Sequence, residues 1–297
     1  MHGSCPTWLS GSEQRLQATT LRRLARTERL SEWQTTTTGL RQQPWGAPRQ
    51  DQGKPWVTGR GLNIILIQAS DWCADRVAVV RDQRAVHIRQ VLRAQVGDSL
   101  RVGLLGGACG QGVIEAIDGD GVQLRVDLNE APPARHRFDI VLALPRPKML
   151  RRMLRQTAEF GVTHLHLIHS ARVEKSYWQS PLLQPDAVQA ALVAGLERSR
   201  DTIAPQVHLH RRFRPFVEDL LPALCAGRPC WLADRGAPMG LATAATGPAL
   251  VMIGPEGGFV PFEVQLAESV IAQRVHLGDR ILSVDTALTT VLAQGMG

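Results

Sequence analysis

One segment limits the folds open to this chain more than any other. The apolar run 249–253 ends in Gly254-Pro255-Glu256-Gly257-Gly258-Phe259, and Pro261 then opens a helical pattern. A short apolar run bounded by glycine reads as a buried strand. Gly254, Gly257 and Gly258 allow positive φ and close approach of backbone to a ligand, Pro255 stiffens the loop, and Pro261 takes the favoured first helical position. The arrangement recurs one helix later. Leu277-Gly278-Asp279-Arg280-Ile281-Leu282-Ser283-Val284-Asp285-Thr286-Ala287 runs from a strand through glycine into a helix that Asp285 or Thr286 can cap. Either loop alone could be only a turn, but two such loops at the ends of consecutive parallel strands border one crevice. Neither is a Walker loop, since no Gly-Lys-Ser/Thr follows, and neither has Gly-x-Gly-x-x-Gly spacing.

Strand and helix patterns alternate through the whole C-terminal half. Strands are expected at 138–144, 164–168, 207–210, 230–233, 250–253 and 275–277. Helices are expected at 148–160, 187–198, 216–224, 261 to 273 and from 285. Such alternation implies a mostly parallel sheet with helices on both faces, an α/β class.

The region 63–131 has a different texture, with short strands at 64–68, 77–80, 99–104, 112–117 and 122–128 separated by tight turns. Val122, Leu124, Val126 and Leu128 alternate cleanly. Gly97-Asp98 and Gly119-Asp120-Gly121 are hairpin signals, and the 106–112 stretch reads as a hairpin loop. This many strands in so short a span suggest a small β-barrel. Within it, 85–93 reads as a helical turn with Arg89 and Arg93 one turn apart, either a phosphate grip or a solvated face. Residues 129–137, with Pro132-Pro133, read as a linker.

Residues 1–61 show no sustained apolar periodicity, carry the Thr35 to Thr38 run, and read as disordered. A basic amphipathic helix is conceivable at 16–30, and the Arg-rich, acid-poor start resembles a transit peptide. Translation beginning near Leu62 is the plainer expectation, as Met1 is the only methionine before Met149.

The 148–160 helix separates two stripes. Leu150, Met153, Leu154, Thr157 and Ala158 form an apolar face. Lys148, Arg151, Arg152 and Arg155 form a basic one beside it, with Arg146 just ahead. Like charges at i,i+4 oppose each other, so a bound anion is the favoured reading and a solvated face the alternative. A formal charge of +7 points the same way, toward a polyanionic partner. No run approaches the ~20 apolar residues of a membrane-spanning helix.

Cys5, Cys73, Cys109, Cys225 and Cys230 are scattered and never spaced as Cys-x-x-Cys, so neither a disulfide framework nor a zinc ribbon is expected. They read as reduced thiols, mostly packing. His164 and His166 share a strand face while His169 points away, so no metal site is expected there, even with His208 and His210 nearby. No Gly-x-Ser-x-Gly or Cys/His arrangement supports nucleophilic catalysis.

Taken in order, these motifs resemble the knotted SPOUT methyltransferases, and most closely the RsmE family of 16S ribosomal RNA uracil-N3 methyltransferases. The two glycine loops carry the resemblance. His87-Ile88-Arg89-Gln90-Val91-Leu92-Arg93, Arg146-Pro147-Lys148, the run Arg172 to Trp178, Glu197 and Arg200 support it, and the likeness covers about 62–294. It implies a PUA-like RNA-binding β-barrel at 62–131, then a parallel-sheet α/β domain at 137–297 with a deep trefoil knot. It implies S-adenosyl-L-methionine held by Gly254, Glu256, Gly257, Leu277, Gly278, Ile281, Leu282 and Thr286. Phosphate contacts would come from Arg89, Arg93, Lys148, Arg151, Arg152 and Arg155. A cation, Arg280 or Arg146, would stabilise a deprotonated uracil. The resemblance further implies a cytoplasmic homodimer acting on the small ribosomal subunit, with no membrane. Ser283 stands where that family usually has Arg and Asp285 where it usually has Glu, and Gly297 comes earlier than the last helix is expected to end. These departures keep a non-catalytic ribosome-assembly protein open as an alternative. A SPOUT enzyme acting on another RNA group, such as a ribose 2′-hydroxyl, is the other.

Overall fold

The computed structural model describes residues 63–119 and 121–296. The expected N-terminal extension 1–61, its basic helix, Cys5 and Leu62 lie outside the described residues. What is described contains a mainly antiparallel sheet followed by an entirely parallel one.

The first sheet holds β1 (Ile65–Ile67), β2 (Trp72–Ala74), β3 (Val77–Val80), β4 (Ser99–Leu104), β5 (Cys109–Ile117) and β6 (Val122–Glu130), in the order β1-β4-β5-β6-β3-β2. The alternation predicted for β6 is present: Val122, Leu124 and Val126 are buried against Val80, Val102 and Ile114, and Leu128 packs on the margin. The 106–112 stretch is less of a loop than expected, because β5 begins at Cys109. A Cβ on Gly110 would lie 1.9 Å from the Asp127 carbonyl oxygen, so glycine here serves close strand approach at a register shift rather than a turn. Likewise β6 runs to Glu130, into the expected linker, where Arg101 pairs with Glu130 at 2.6 Å.

Between β3 and β4, α1 (Asp82–Val86) continues into a π-helical stretch, His87–Leu92, that buries Ile88. Arg93 ends it in the left-handed region, at φ 52°. Arg89 and Arg93 therefore do not share a regular helical face. The Arg84 guanidinium anchors α1, donating to Asp71 at 2.5 and 3.0 Å and to the Leu66 carbonyl at 2.7 Å.

The second sheet holds β7 (Phe138–Ala143), β8 (His164–Ile168), β9 (Gln206–His210), β10 (Cys230–Ala233), β11 (Ala249–Ile253) and β12 (Ala272–Val275), in the order β12-β10-β11-β7-β8-β9. Every residue of β7 and β11 is buried, as the continuous apolar runs of central parallel strands require. The principal helices are α2 (Pro147–Glu159), α3 (Pro185–Ser199), α4 (Pro261–Val270) and α5 (Val284–Gln294). On α2, Leu150, Met153, Leu154, Thr157 and Ala158 are all buried, as the apolar stripe predicts.

One boundary differs from expectation. The helix expected to reach 273 stops at Val270, and the strand expected at 275–277 occupies Ala272–Val275. Pairing of Ala272 to Cys230 and Val275 to Ala233 overrides the helical propensity of the intervening residues. The sheets share a core, since Ile64, Leu66 and Cys109 belong to the apolar cluster of the parallel sheet. The Ile64 amide also bonds the Glu197 carbonyl at 3.0 Å. Cys109, Cys225 and Cys230 are buried, Cys73 is exposed, and all four are free.

Candidate functional site

Strands β12, β10 and β11 are neighbours, so the loops leaving their C-terminal ends converge. They enclose a cavity of about 390 Å³. Its floor is apolar, from Leu232, Ile253, Phe259, Val264 and Val284, and its rim carries Asp234, Arg235, Glu256 and Arg280. Ligands of open α/β sheets bind at this end of the strands.

The glycine-rich loop is braced on both sides. Within it the Gly258 amide donates to the Pro255 carbonyl at 2.8 Å. From outside, the Arg172 guanidinium donates to the Gly257 carbonyl. The buried Glu263 carboxylate accepts from the Val260 amide at 3.0 Å and the Ala171 amide at 2.7 Å. In the second loop Gly278 has φ +114°, which only glycine adopts without strain, and its amide donates to His276 Nδ1 at 3.1 Å.

The residues expected to hold a cofactor are brought together with one exception. Gly254, Glu256, Gly257, Leu277, Gly278, Ile281 and Leu282 line the cavity, and Thr286 does not. The Thr286 hydroxyl lies 2.9 Å from Ser283 Oγ, outside the cavity wall. The cap of α5 also differs from expectation: Ser283 is the N-cap, and Val284 is the first helical residue. Ser283 Oγ donates to Asp285 at 2.5 Å. That bond, helped by the Thr286 amide and the Arg152 charge and opposed by burial, holds the Asp285 carboxyl below its ordinary range.

The two candidate cations occupy different places. Arg280 is on the rim of the cavity. Arg146 lies beside a second cavity of about 230 Å³, lined also by Pro145, Met149, Met153, Glu256, Ser283, Val284 and Asp285. Arg146 Nε is 3.5 Å from Glu256 Oε1, and Arg152 is 3.5 Å from Asp285.

The candidate phosphate ligands divide. Lys148, Arg151 and Arg152 are exposed along α2, and Arg93 is exposed after the π-helical stretch. Arg155 is only half-exposed, which takes it out of the open stripe. Arg89 donates to the Asp118 carbonyl at 2.7 Å, so it ties its helix to the β5–β6 turn.

His164 and His166 share one face of β8, as the strand period predicts. They face His208 and His210 across β8 and β9. His164 Nδ1 is 3.3 Å from His208 Nε2, and His166 Nδ1 is 3.1 Å from His210 Nε2. His169 points elsewhere and accepts from Trp178 Nε1 at 3.0 Å. Among the described residues, no group of three His, Cys, Asp or Glu side chains is arranged to hold a metal ion.

Sequence reading missed Asp234 and Arg235, although they follow an apolar strand, the same signal that marks the other two loops. It also missed the Arg172 and Glu263 braces. The Arg172–Gly257 and Glu263–Ala171 bonds act across long chain separations that no local pattern records, whereas Glu263 to the Val260 amide is a local contact at the start of α4.

Residues 132–295 match the family described as RNA methyltransferase domain. A Treponema pallidum protein called ribosomal RNA small subunit methyltransferase E is 28% identical over 240 residues, covering 78% of this chain and 90% of its own length. A Synechocystis protein of the same name is 26% identical, covering 77% and 76%. Among solved structures, a Neisseria gonorrhoeae protein of that name, bound to S-adenosyl methionine, superposes with a TM-score of 0.62 at 18% identity. It covers 77% of this chain and 95% of its own. At that identity the superposition speaks for the fold.

Proposed function

Because the chain belongs to the RNA methyltransferase domain family, we propose that it uses S-adenosylmethionine to methylate N3 of a uridine in small-subunit ribosomal RNA. The cavity at the ends of β10, β11 and β12 carries this reading. Its volume suits a small-molecule cofactor. Its apolar floor fits a purine ring. Its rim of Asp234, Arg235, Glu256 and Arg280 offers both signs of charge to a zwitterionic, sulfonium-bearing tail. The ribosomal substrate is suggested by the names of the relatives, and N3 of uridine by the resemblance in the sequence motifs.

Gly254, Glu256, Gly257, Leu277, Gly278, Ile281 and Leu282 would hold the cofactor. Thr286 would act only through Ser283 and the start of α5. The cofactor supplies a methyl group already activated by sulfonium, so in-line placement provides most of the rate. Uracil N3 is paired within helices, so the target base must be unpaired or flipped out. Arg280 and Arg146 are the cations proposed to stabilise its deprotonated form. Lys148, Arg151, Arg152 and Arg93 are proposed to contact phosphates, while Arg89 first ties its helix to the β5–β6 turn and Arg155 is set aside because it is half-buried.

We assign the 62–131 sheet to a PUA-like barrel that binds RNA and 137–297 to the catalytic domain. The glycine loops are proposed to form a trefoil knot, in a cytoplasmic homodimer.

The test is calorimetric titration of the full chain with S-adenosylmethionine, paired with methyl transfer to purified, unmodified small ribosomal subunits and mapping of the modified nucleotide. Saturable binding with N3-methyluridine as product is expected. Binding without transfer would favour a non-catalytic assembly protein or another RNA target. Failure of the folded protein to bind would overturn the cofactor reading.

A further inference from the structure

We propose that the second cavity receives the imide edge of a flipped-out uracil, with Arg146 and Glu256 as adjacent donor and acceptor that select uracil over cytosine. This rests on the methyltransferase reading above and adds to it the place and the chemistry of base recognition. The cavity is about 230 Å³, below the roughly 300–1,000 Å³ of sites for drug-sized ligands and suited to a single base. Met149, Met153 and Val284 supply an apolar bed, and polarizable methionine sulfur packs well against a planar ring.

Position and charge both support this. Glu256 and Val284 line this cavity and the larger one, so a base seated here has its polar edge at the wall the two share. The exposed Lys148, Arg151 and Arg152 follow along the same helix, where the phosphates on either side of an extruded nucleotide can lie.

The rim chemistry discriminates. Arg146 Nε and Glu256 Oε1 are 3.5 Å apart, with side chains 65% and 39% exposed. A surface pair so exposed contributes little to stability, and a ligand offering a carbonyl beside an N–H can replace it. Uracil presents that pair, O4 beside N3–H. Cytosine presents a bare N3 lone pair, which would face the Glu256 carboxylate unpaired. Sites built to hydrogen-bond a substrate N–H reject analogues that lack it. Asp285 is more heavily engaged than Glu256, since its Oδ1 accepts from the Ser283 hydroxyl at 2.5 Å and its Oδ2 lies 3.5 Å from Arg152.

The same placement gives the N3 proton a destination. The N3–H bond breaks with its electron pair remaining on nitrogen, and the proton joins a Glu256 oxygen. The nitrogen pair then forms the new bond to carbon while the carbon–sulfur pair leaves with sulfur.

The test uses the full chain and a short single-stranded oligoribonucleotide carrying one 4-thiouridine, irradiated without cofactor, with adducts mapped by mass spectrometry. Adducts at Met149 or Met153 are expected. They should be competed by the uridine oligomer about tenfold better than by its cytidine counterpart. In E256Q the amide can donate to cytosine N3, and the preference should fall to about threefold or less. M149W fills the cavity and should lower adduct yield about tenfold while S-adenosylmethionine affinity, which does not involve Met149, stays within about twofold. Should M149W fail to fold, the E256Q preference decides alone. Adducts confined to other surfaces, or an undiminished uridine preference in E256Q, would overturn the assignment. Methyl transfer with adducts elsewhere would sink this site and leave the enzyme standing. Adducts here without methyl transfer to ribosomal RNA would do the reverse.

Discussion

Arg172 and Gly257 lie 85 positions apart in sequence, yet the Arg172 guanidinium donates to the Gly257 carbonyl. Arg172 follows β8 and Gly257 follows β11, with β7 between them in the sheet. The bond therefore latches the glycine-rich loop to a strand end two positions away. The Glu263 carboxylate does the same from the other side by accepting from the Ala171 amide. A loop of three glycines has much conformational freedom to lose on binding, and these braces remove it beforehand.

R172A should therefore weaken S-adenosylmethionine binding more than it weakens the fold. A hydrogen bond from a charged group contributes roughly 1.5–3 kcal/mol, so affinity should drop about tenfold or more. R172K should recover part of this, because its ammonium can donate to the Gly257 carbonyl that Arg172 Nη1 meets, from a different reach. Calorimetric titration beside a thermal melt checks the point. Unchanged affinity would mean that Glu263 and Pro255 hold the loop unaided.

The exposed cations of α2 lead to a second prediction. If Lys148 and Arg151 each neutralise one phosphate of a single-stranded RNA, removing both lowers the slope of log affinity against log salt by about 1.4, at ~0.7 per phosphate. Neither side chain is buried, so K148A/R151A should keep the melting temperature of the parent. Fluorescence anisotropy across a salt series measures the slope. A loss of affinity with no change of slope would assign these residues to packing or orientation rather than to phosphate contact.

Much of this architecture is legible in the sequence because it rests on local signals. The β6 alternation, the apolar stripe of α2 and the glycines after β11 and β12 each follow from one periodicity or one backbone requirement. What escaped reading depends on distant pairing. The Val270 end of α4 was missed because β10 recruits Ala272–Val275 into the sheet. The fate of Arg89 depends on a turn thirty positions later. Thr286 matched a motif, yet its hydroxyl lies 2.9 Å from Ser283 Oγ and does not line the cavity. Strand periodicity places His164 and His166 on one face of β8, whereas their pairing with His208 and His210 is a property of two strands.

That pairing yields the last prediction. His166 is 3% exposed. It stacks on His208 at 4.6 Å between ring centroids, lies 5.3 Å from the His210 ring and 6.2 Å from Phe216. Burial first, then the charges that His208, His210, His164 and Arg228 would place against it, push its pKa from 6.5 down to about 3. Burial also lowers His208 and His210. Asp139, bonded to Arg228 at 2.7 Å, is the acidic group in this neighbourhood. With the folded pKa below the unfolded one, the unfolded chain holds a proton that the folded chain lacks between pH 6.5 and about 3. Stability must then fall as pH drops through that window, by ~1.4 kcal/mol per pH unit for this one group. Asp82 and Asp285, both held below 3.8, lose their contributions only at lower pH and do not confound a comparison of pH 7 with pH 5. Urea unfolding at those two pH values should show a loss of about 2 kcal/mol from His166, with His208 and His210 adding to it in the same direction. H166F keeps an aromatic ring against Phe216 and cannot titrate. Its pH dependence should be flatter by close to one proton, and equal slopes in the two proteins would show that His166 is free to protonate in the folded state.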